Sequence, residues 1–283
     1  MPSPLPVLVA EGLTVLLSSG GDRVTDEALA QPSPVELTVL DGVGHIELNR
    51  PDAFNALDLP LSAALYDRIR AADEDPQVKV VLLSGRGRAF CAGGDVRYMA
   101  AAEDRTQALA ELADAAHQAI RALAEIAKPV IAVVHGSVAG GGLGLTCSAD
   151  LVLAGESTKF VAAYAGIAVT PDCSSTWGLP RIIGERRAME LVLLNKPLSA
   201  AQALDWGLVN RLHPDDEVLA QAQALAVTLA AGPAAAALGV SRRLIRDSAH
   251  RTLAEQLEAE SASIAYHAGT PECAALIEAF VSR

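Results

Sequence analysis

The chain has 283 residues, of which 51% are hydrophobic and only 4% aromatic, and 34 acidic against 22 basic side chains give a formal net charge of −12. This hydrophobic content excludes a disordered chain. The acidic balance argues against a nucleic-acid-binding protein, since phosphate contacts need clustered Lys and Arg. No two of the four cysteines form a Cys-x-x-Cys pair, which favours a reducing compartment over a disulfide or zinc framework. We therefore expect a cytoplasmic protein with no metal site.

The first segment, residues 1–34, is predicted to be an appended arm of unknown role, since Ser, Gly and Pro residues punctuate it. Its apolar stretch from Leu5 to Leu17 is interrupted by Pro6, Glu11 and Gly12 and has no basic segment before it. A membrane span needs about 20 apolar residues, and a signal peptide needs a positively charged start. Neither is expected here.

From residue 35 onward, strand and helix patterns alternate. Asp41-Gly42 is typical of the turn in a β-hairpin. The patterns predict strands at Val35–Leu40, Gly44–Leu48, Val78–Leu83, Val130–Val134 and Leu151–Ala154, and helices at Leu59–Ala72, Arg105–Ala127 and Gly141–Cys147. Such alternation predicts an α/β sheet covered by helices, and the last third is helix-rich. We predict a core at 35–195 and a helical C-terminal region at 196–283.

Several common catalytic motifs are missing from the sequence. There is no Gly-Lys dipeptide for a P-loop, no H-E-x-x-H and no G-x-S-x-G, and Gly140–Leu145 lacks the last glycine of a dinucleotide fingerprint. Two glycine-containing turns remain, Gly85–Val96 and His135–Gly142, and each directly follows an apolar strand. Two such turns on neighbouring strands could aim two backbone N–H groups at one oxygen, as an oxyanion hole requires.

These turns belong to a set of motifs that occur in a familiar order and spacing. They are Asn49-Arg50-Pro51, Asn55-Ala56-Leu57, Gly87 to Asp95, Lys128 to Ala132, Gly136 to Gly142 and Ser148-Ala149-Asp150. Together they resemble the enoyl-CoA hydratase/isomerase (crotonase) superfamily, from about residue 35 to the C-terminus. The resemblance implies a crotonase-like spiral of ββα units with a helical C-terminal region, assembled as a trimer or a dimer of trimers.

The family polarises the carbonyl of an acyl-CoA thioester with two backbone N–H groups, which here correspond to Gly94 and Gly141. The resemblance also places the CoA ester beside a set of residues, namely Asn55, Ala56, Leu57, Ala92, Gly94, Asp95, Val96, Arg97 and Gly141. Local arginines such as Arg86, Arg88 or Arg97 would balance its phosphates. CoA would be part of the substrate, and no separate cofactor, nucleic acid or membrane partner is expected.

The sequence departs from the hydratases of this family at both catalytic glutamates. The matching positions hold Gly144 and Tyr164. Glycine cannot activate water, and a tyrosine with an ordinary pKa of about 10 is a poor base at neutral pH. Two-glutamate hydration of an enoyl-CoA is therefore not expected.

Asp172 lies where other family members carry a catalytic aspartate, in a turn resembling those of the dienoyl-CoA isomerases, the ring-opened epoxyphenylacetyl-CoA isomerase type and 4-chlorobenzoyl-CoA dehalogenase. As a base it would move a proton and so shift a double bond; as a nucleophile it would attack an aryl carbon. The dehalogenase resemblance includes His117 and Tyr164. The non-catalytic alternatives are that Asp172 caps the following helix and that His117 is a packed residue bonded to backbone.

Three hypotheses follow from these residues. The first, which we favour because few aromatics are available to clamp a ring and Ala116 replaces a Trp of the dehalogenase, is an acyl-CoA double-bond isomerase of fatty-acid or aromatic-acid catabolism. The second is a dehalogenase or thioester hydrolase that uses Asp172 and His117. The third is an acyl-CoA-binding relative without catalytic activity.

Overall fold

The computed structural model of the chain describes residues 33–282, so the predicted arm at 1–34 lies outside the described residues except for its last two positions. The described strands are β1 (Val35–Leu40), β2 (Val43–Leu48), β3 (Val80–Gly85), β4 (Val130–Val134), β5 (Ser137–Ala139), β6 (Leu151–Gly155), β7 (Lys159–Val161), β8 (Leu198–Ser199) and β9 (Arg211–His213). Their order in the main sheet is β1-β2-β3-β4-β6-β9, and a smaller sheet has the order β5-β7-β8. Only β1 runs antiparallel to its neighbour in the main sheet.

The described helices lie between the strands in the first half of the chain and dominate the second half. They are α1 (Leu59–Glu74), α2 (Val96–Ala101), α3 (Arg105–Glu125), α4 (Gly141–Ser148), α5 (Ser175–Ile183), α6 (Glu185–Leu194), α7 (Ala200–Trp206), α8 (Val218–Ala231), α9 (Ala235–Asp247), α10 (Leu253–Ala268) and α11 (Pro271–Val281). The predicted α/β architecture with a helical C-terminal region is therefore confirmed.

The strands β3 and β4 form the centre of the core because both of their faces are buried. Alternate residues point to opposite faces of a strand. Val81 and Leu83 pack in one cluster with apolar residues of α1 and α3, while Val80 and Leu82 pack in another with α8. The helix α8 and the strand β9 belong to the region 196–283, so this region contributes to the same core; the boundary after residue 195 stays a prediction.

Most predicted elements are found within two residues of their expected ends. The hairpin turn is present, and Asp41 and Gly42 both have positive φ, as its two central residues require. The strand β3 starts and ends two residues later than predicted, and α3 ends at Glu125 rather than Ala127. The short strands β5, β7, β8 and β9 were not predicted, since two or three residues carry no readable periodicity.

Among the described residues, no single helix has the length and apolar content of a membrane span, although the bent pair α8–α9, with an angle of 105° between its halves, meets those two criteria when taken together.

Candidate active site

The two glycine turns lie at the same edge of the main sheet because they follow β3 and β4, which are parallel neighbours. The first turn is fixed on Leu57, whose N–H donates to Gly93 O at 2.7 Å and whose carbonyl accepts from Asp95 N at 2.8 Å. The N–H of Gly94 takes no part in this pairing. In the second turn Gly140 has φ 49°, and Gly141 starts α4 with a free helical N–H. Within the described part of the chain, neither the Gly94 nor the Gly141 N–H has an acceptor.

Both glycines line a cavity of about 660 Å³. Its wall is mostly apolar and includes Leu57, Ala92, Val96, Met99, Leu112, Ala116 and Ile167, while Tyr164, Thr170 and Asp172 supply side-chain oxygens. A second cavity of about 350 Å³ shares five of these lining positions and extends to Arg105 and Thr106 at the start of α3. A larger space of about 830 Å³ under α10 and α11 has none of the predicted site residues in its lining.

Asp172 lies in this cavity with its carboxylate held by Tyr164. The Tyr164 hydroxyl donates to Asp172 Oδ1 at 2.8 Å. Burial, and then the neighbouring carboxylate, raise the pKa of Tyr164 above its ordinary value, so the phenol stays a neutral donor. The alternative that Asp172 caps the next helix is wrong: α5 begins after Ser174, and no side chain caps its first turn. The Asp172 side chain is 37% exposed, which leaves it accessible from the cavity.

His117, from the middle of α3, lies beside Asp172 but does not line the cavity. Its Nε2 is 3.9 Å from Asp172 Oδ2 and accepts the N–H of Cys173 at 3.2 Å. The backbone hydrogen bond expected of a packed histidine is therefore present. The ring also lies beside Asp172, and the catalytic role expected of His117 stays a prediction.

Three groups that could bind a metal ion lie together here, since ligand atoms of His117, Asp172 and Cys173 are within 4.8 Å of one another. Their chemistry does not favour a metal. Burial, and then the charge of Asp172, raise the pKa of the Cys173 thiol above its ordinary value, which adds the cost of releasing its proton to metal binding. The lone pair of His117 Nε2 is already engaged by the Cys173 amide.

Most of the other residues predicted to contact CoA lie in or near the cavity. Leu57, Ala92 and Val96 line the cavity. Ala56 is buried beside them. Arg97 is exposed on α2.

Asn55 and Asp95 have side chains that are used within the protein. Asn55 is fully buried and bonds to the backbone of Arg50, Arg86 and Ala89. Asp95 accepts from two N–H groups at the start of α2 and from the Arg50 guanidinium at 2.8 Å. Although burial opposes it, these hydrogen bonds lower the pKa of Asp95. Both side chains thus stabilise the loops that carry the cavity rather than facing it.

Arg50 is a residue whose role the sequence did not reveal. Its guanidinium bridges Asp58 at 3.1 Å and Asp95 at 2.8 Å, and it donates to Ala56 O. It therefore joins the start of α1 to the turn that carries Gly94. The only signal was its place in the Asn49-Arg50-Pro51 motif.

The three arginines expected near CoA differ in whether their charge is already paired within the protein. Arg86 is paired with Glu36 and Glu47 and also donates to Asn49, so its charge is compensated locally. Arg88 lies over the ring of Phe54, with its guanidinium carbon 4.9 Å from the ring centroid. Neither Arg88 nor Arg97 forms a salt bridge within residues 33–282. These two remain the arginines available to an anionic ligand.

Gly144 shows why one hydratase glutamate is missing. A Cβ at this position would overlap the carbonyl oxygen and carbon of Cys173 and its side chain. The backbone turn that follows Asp172 thus occupies the space that a side chain at position 144 would need. No longer residue fits there without displacing this turn.

We expect Gly144→Ala to lower the free energy of unfolding by about 1–3 kcal/mol, as overpacking a rigid site does. Urea denaturation checks this, with Gly269→Ala as control because a Cβ there meets nothing closer than 3.5 Å. Gly144→Glu is expected to be at least as destabilising and to give no hydration of a 2-enoyl-CoA. A stable Gly144→Glu protein with hydratase activity would contradict this account.

The chain is similar to known proteins over most of its length. The sequence model of the family described as enoyl-CoA hydratase/isomerase matches residues 38–281. The chain is 37% identical to 1,2-epoxyphenylacetyl-CoA isomerase of Escherichia coli over 223 residues, which cover 77% of this chain and 84% of that protein. It is 32% identical to 4-chlorobenzoyl coenzyme A dehalogenase-2 of Arthrobacter sp. over 245 residues, covering 86% and 88%.

Among solved structures, an enoyl-CoA hydratase/isomerase from Mycobacterium abscessus superposes with a TM-score of 0.84 at 33% identity, covering 88% of this chain and 96% of that one. Both the expected fold and the expected family are thereby confirmed. The relatives include an isomerase and a dehalogenase, so similarity shows a family of acyl-CoA enzymes but not which reaction this chain catalyses. The chain belongs to the enoyl-CoA hydratase/isomerase family of the crotonase superfamily.

Proposed function

We propose that this protein isomerises the double bond of an unsaturated acyl-CoA, with Asp172 as the group that moves the proton. The observation that carries the proposal is that Asp172 supplies the only carboxylate among the described residues lining the cavity of Gly94 and Gly141. The other titratable side chains in this lining, Tyr164 and Cys173, have pKa values raised by burial. Neither is suited to accept a proton near neutral pH.

The reaction uses the backbone donors and the carboxylate in turn. The N–H groups of Gly94 and Gly141 donate to the thioester oxygen and stabilise the negative charge that develops on it. Asp172 takes a proton from the α-carbon of a 3-enoyl-CoA, and the resulting dienolate spreads over four carbons and the oxygen. Asp172 then returns the proton to the γ-carbon, which gives the 2-enoyl-CoA with no other reactant consumed. Tyr164 orients the carboxylate through its hydrogen bond.

The lining of the cavity favours an aliphatic acyl group. Its wall is dominated by Ala, Val, Leu, Ile and Met, and Tyr164 is the only aromatic side chain in it among the described residues. Ala116 lines the cavity where a larger side chain would close it. The adjoining cavity offers room for carbons farther from the thioester. We further propose that backbone donors together with Arg88 and Arg97 receive the CoA moiety.

A second candidate is a dehalogenase or thioester hydrolase. It is favoured by the position of His117 beside Asp172 and by the relative named 4-chlorobenzoyl coenzyme A dehalogenase-2. Against it, the cavity lacks an aromatic clamp among the described residues, and the His117 lone pair is engaged by a backbone amide. The relative named 1,2-epoxyphenylacetyl-CoA isomerase makes an aryl epoxide a further substrate to include in an assay.

Product analysis of the wild-type protein tests the proposal. We expect a 3-enoyl-CoA to be converted to the 2-enoyl-CoA, no 3-hydroxyacyl-CoA from a 2-enoyl-CoA, and no chloride from 4-chlorobenzoyl-CoA. Liquid chromatography with mass spectrometry and a chloride assay measure all three. Chloride release would favour the second candidate. Tight binding of the CoA esters without turnover of any of them, 1,2-epoxyphenylacetyl-CoA included, would favour the non-catalytic alternative.

We also propose that the C-terminal helices serve self-association as a trimer or dimer of trimers. Large side chains of α10 and α11 face solvent in the single chain, and five of them are each more than 70% exposed, namely Leu253, Ile264, Tyr266, Phe280 and Val281. A monomer seldom leaves so many large apolar groups in water. The molar mass in solution tests this.

A further inference from the structure

The turn that carries Asp172 has a strained backbone. Cys173 and Ser174, which follow Asp172 directly, have φ values of 49° and 63°. A left-handed conformation is energetically unfavourable for a non-glycine residue, because its Cβ approaches the following carbonyl oxygen. Two such residues in succession persist only where surrounding contacts hold them.

The contacts of this turn come from three directions. Ser175 N donates to Asp172 O at 2.9 Å within the turn itself. Tyr164 donates to the Asp172 carboxylate from the segment after β7. From α3, His117 Nε2 accepts the N–H of Cys173 at 3.2 Å. The last contact is the one that satisfies the N–H of a residue in the strained conformation and ties it to a long helix.

The direction of this hydrogen bond limits what His117 can do. An imidazole nitrogen that accepts an N–H is unprotonated, so in neutral His117 the proton is on Nδ1. The Nε2 lone pair points at the Cys173 amide and is not available to water. The 3.9 Å between Nε2 and Asp172 Oδ2 exceeds a hydrogen-bond distance. His117 is not among the residues that line the cavity.

We propose that His117 is a positioning residue: by accepting the Cys173 N–H it holds the strained turn, and so keeps the Asp172 carboxylate at the cavity and in reach of Tyr164. It is not the general base of the reaction. This inference rests on the proposed function for its kinetic effect, but the structural part, the hold on the turn, stands apart from any activity.

The variants His117→Leu and His117→Gln separate positioning from proton transfer. Leucine removes the acceptor, whereas the amide oxygen of glutamine can still accept the Cys173 N–H but cannot act as a base. We expect His117→Leu to lower kcat for isomerisation by about 10- to 100-fold, as misplacement of a catalytic group does, with a much smaller change in KM. His117→Gln is expected to regain most of this loss. Gln118→Leu, an exposed neighbour on α3, is the matched control.

A readout without turnover keeps the test independent of the proposed function. Cys173 is buried in the native turn. Its modification by a thiol reagent, located by peptide mass spectrometry, is expected to be slow in wild type, His117→Gln and Gln118→Leu, and faster in His117→Leu. A His117→Gln protein as inactive as His117→Leu, with Cys173 still protected, would overturn the proposal in favour of proton transfer by His117. Wild-type activity and protection in His117→Leu would overturn it outright.

Discussion

Replacing Asp172 with asparagine is expected to lower kcat for double-bond isomerisation by about 10²- to 10⁴-fold, the usual contribution of a general base. Asparagine has nearly the same shape as aspartate, and its amide oxygen can still accept the Tyr164 hydroxyl. It cannot take a proton from the α-carbon. The N–H donors of Gly94 and Gly141 are main-chain groups, so the substitution leaves the polarisation of the thioester unchanged.

Two measurements on this variant separate chemistry from binding. The rate of isomerisation reports the chemical step, and calorimetric titration with a saturated acyl-CoA reports affinity, which we expect to stay near that of the wild type. Exchange of the α-proton in D₂O is expected to slow together with turnover. Asp114→Asn, an exposed position on α3, is the control. Unchanged turnover in Asp172→Asn would remove Asp172 from the mechanism.

Replacing Arg242 with alanine is expected to lower the free energy of unfolding by about 3–5 kcal/mol, as breaking a buried ion pair does. The Arg242 side chain, 6% exposed, pairs with Asp150 at 2.6 Å. It also donates to the carbonyls of Leu123, Ala124 and Ile126 at the end of α3. Alanine would leave these last carbonyls of the helix without a partner. Arg246 keeps two hydrogen bonds to Asp150 Oδ1, which places the expected loss at the lower end.

Urea denaturation measures this loss. Arg70→Ala is the matched control, because Arg70 pairs with Glu74 on the exposed surface of α1, where such a pair contributes at most about 0.5 kcal/mol. A comparable small change in both variants would show that Arg242 does not tie α9 to the core. The expected difference is large enough for a single pair of denaturation curves to decide.

The parts of the fold that rest on local pattern could be predicted from the sequence. The hairpin around Asp41-Gly42 has a turn signal and alternating flanks, and β4 is a continuous apolar run ended by a glycine turn. Although the choice of Gly94 and Gly141 as donors came from the resemblance to the family, the meeting of the two glycine turns could be predicted because parallel neighbouring strands bring the turns that follow them to one edge. In each case a short stretch of chain carries the whole signal.

The side-chain cluster could be predicted only in part. Asp172 and Tyr164 were found through resemblance to a family, since nothing in their spacing says that their oxygens meet. His117 belongs to α3 and lies beside Cys173 because of tertiary packing, so its hydrogen-bond partner could not be predicted from the sequence. The same holds for Arg242, whose partners lie 92 or more residues away in the chain, and for the bond from Arg50 to Asp95, 45 residues away. Such contacts depend on strand register and on the rotation of each helix about its axis. The hydrophobic periodicity of the sequence does not specify these accurately enough to predict a single hydrogen bond.

The overlap between position 144 and the Cys173 carbonyl has a consequence for how this scaffold could change its chemistry. A glutamate at 144 is excluded while the turn is in place, and rebuilding the turn first would remove Asp172 from the cavity before a glutamate could act. Each single step would therefore lose the proposed isomerase activity without gaining hydration. A one-aspartate site can therefore be changed into a two-glutamate site only if the turn and position 144 are substituted together. The effect of a substitution at 144 depends on the conformation of the turn, which is sign epistasis caused by one backbone contact. Directed evolution toward hydration should accordingly mutate 144, 164 and 172–174 together.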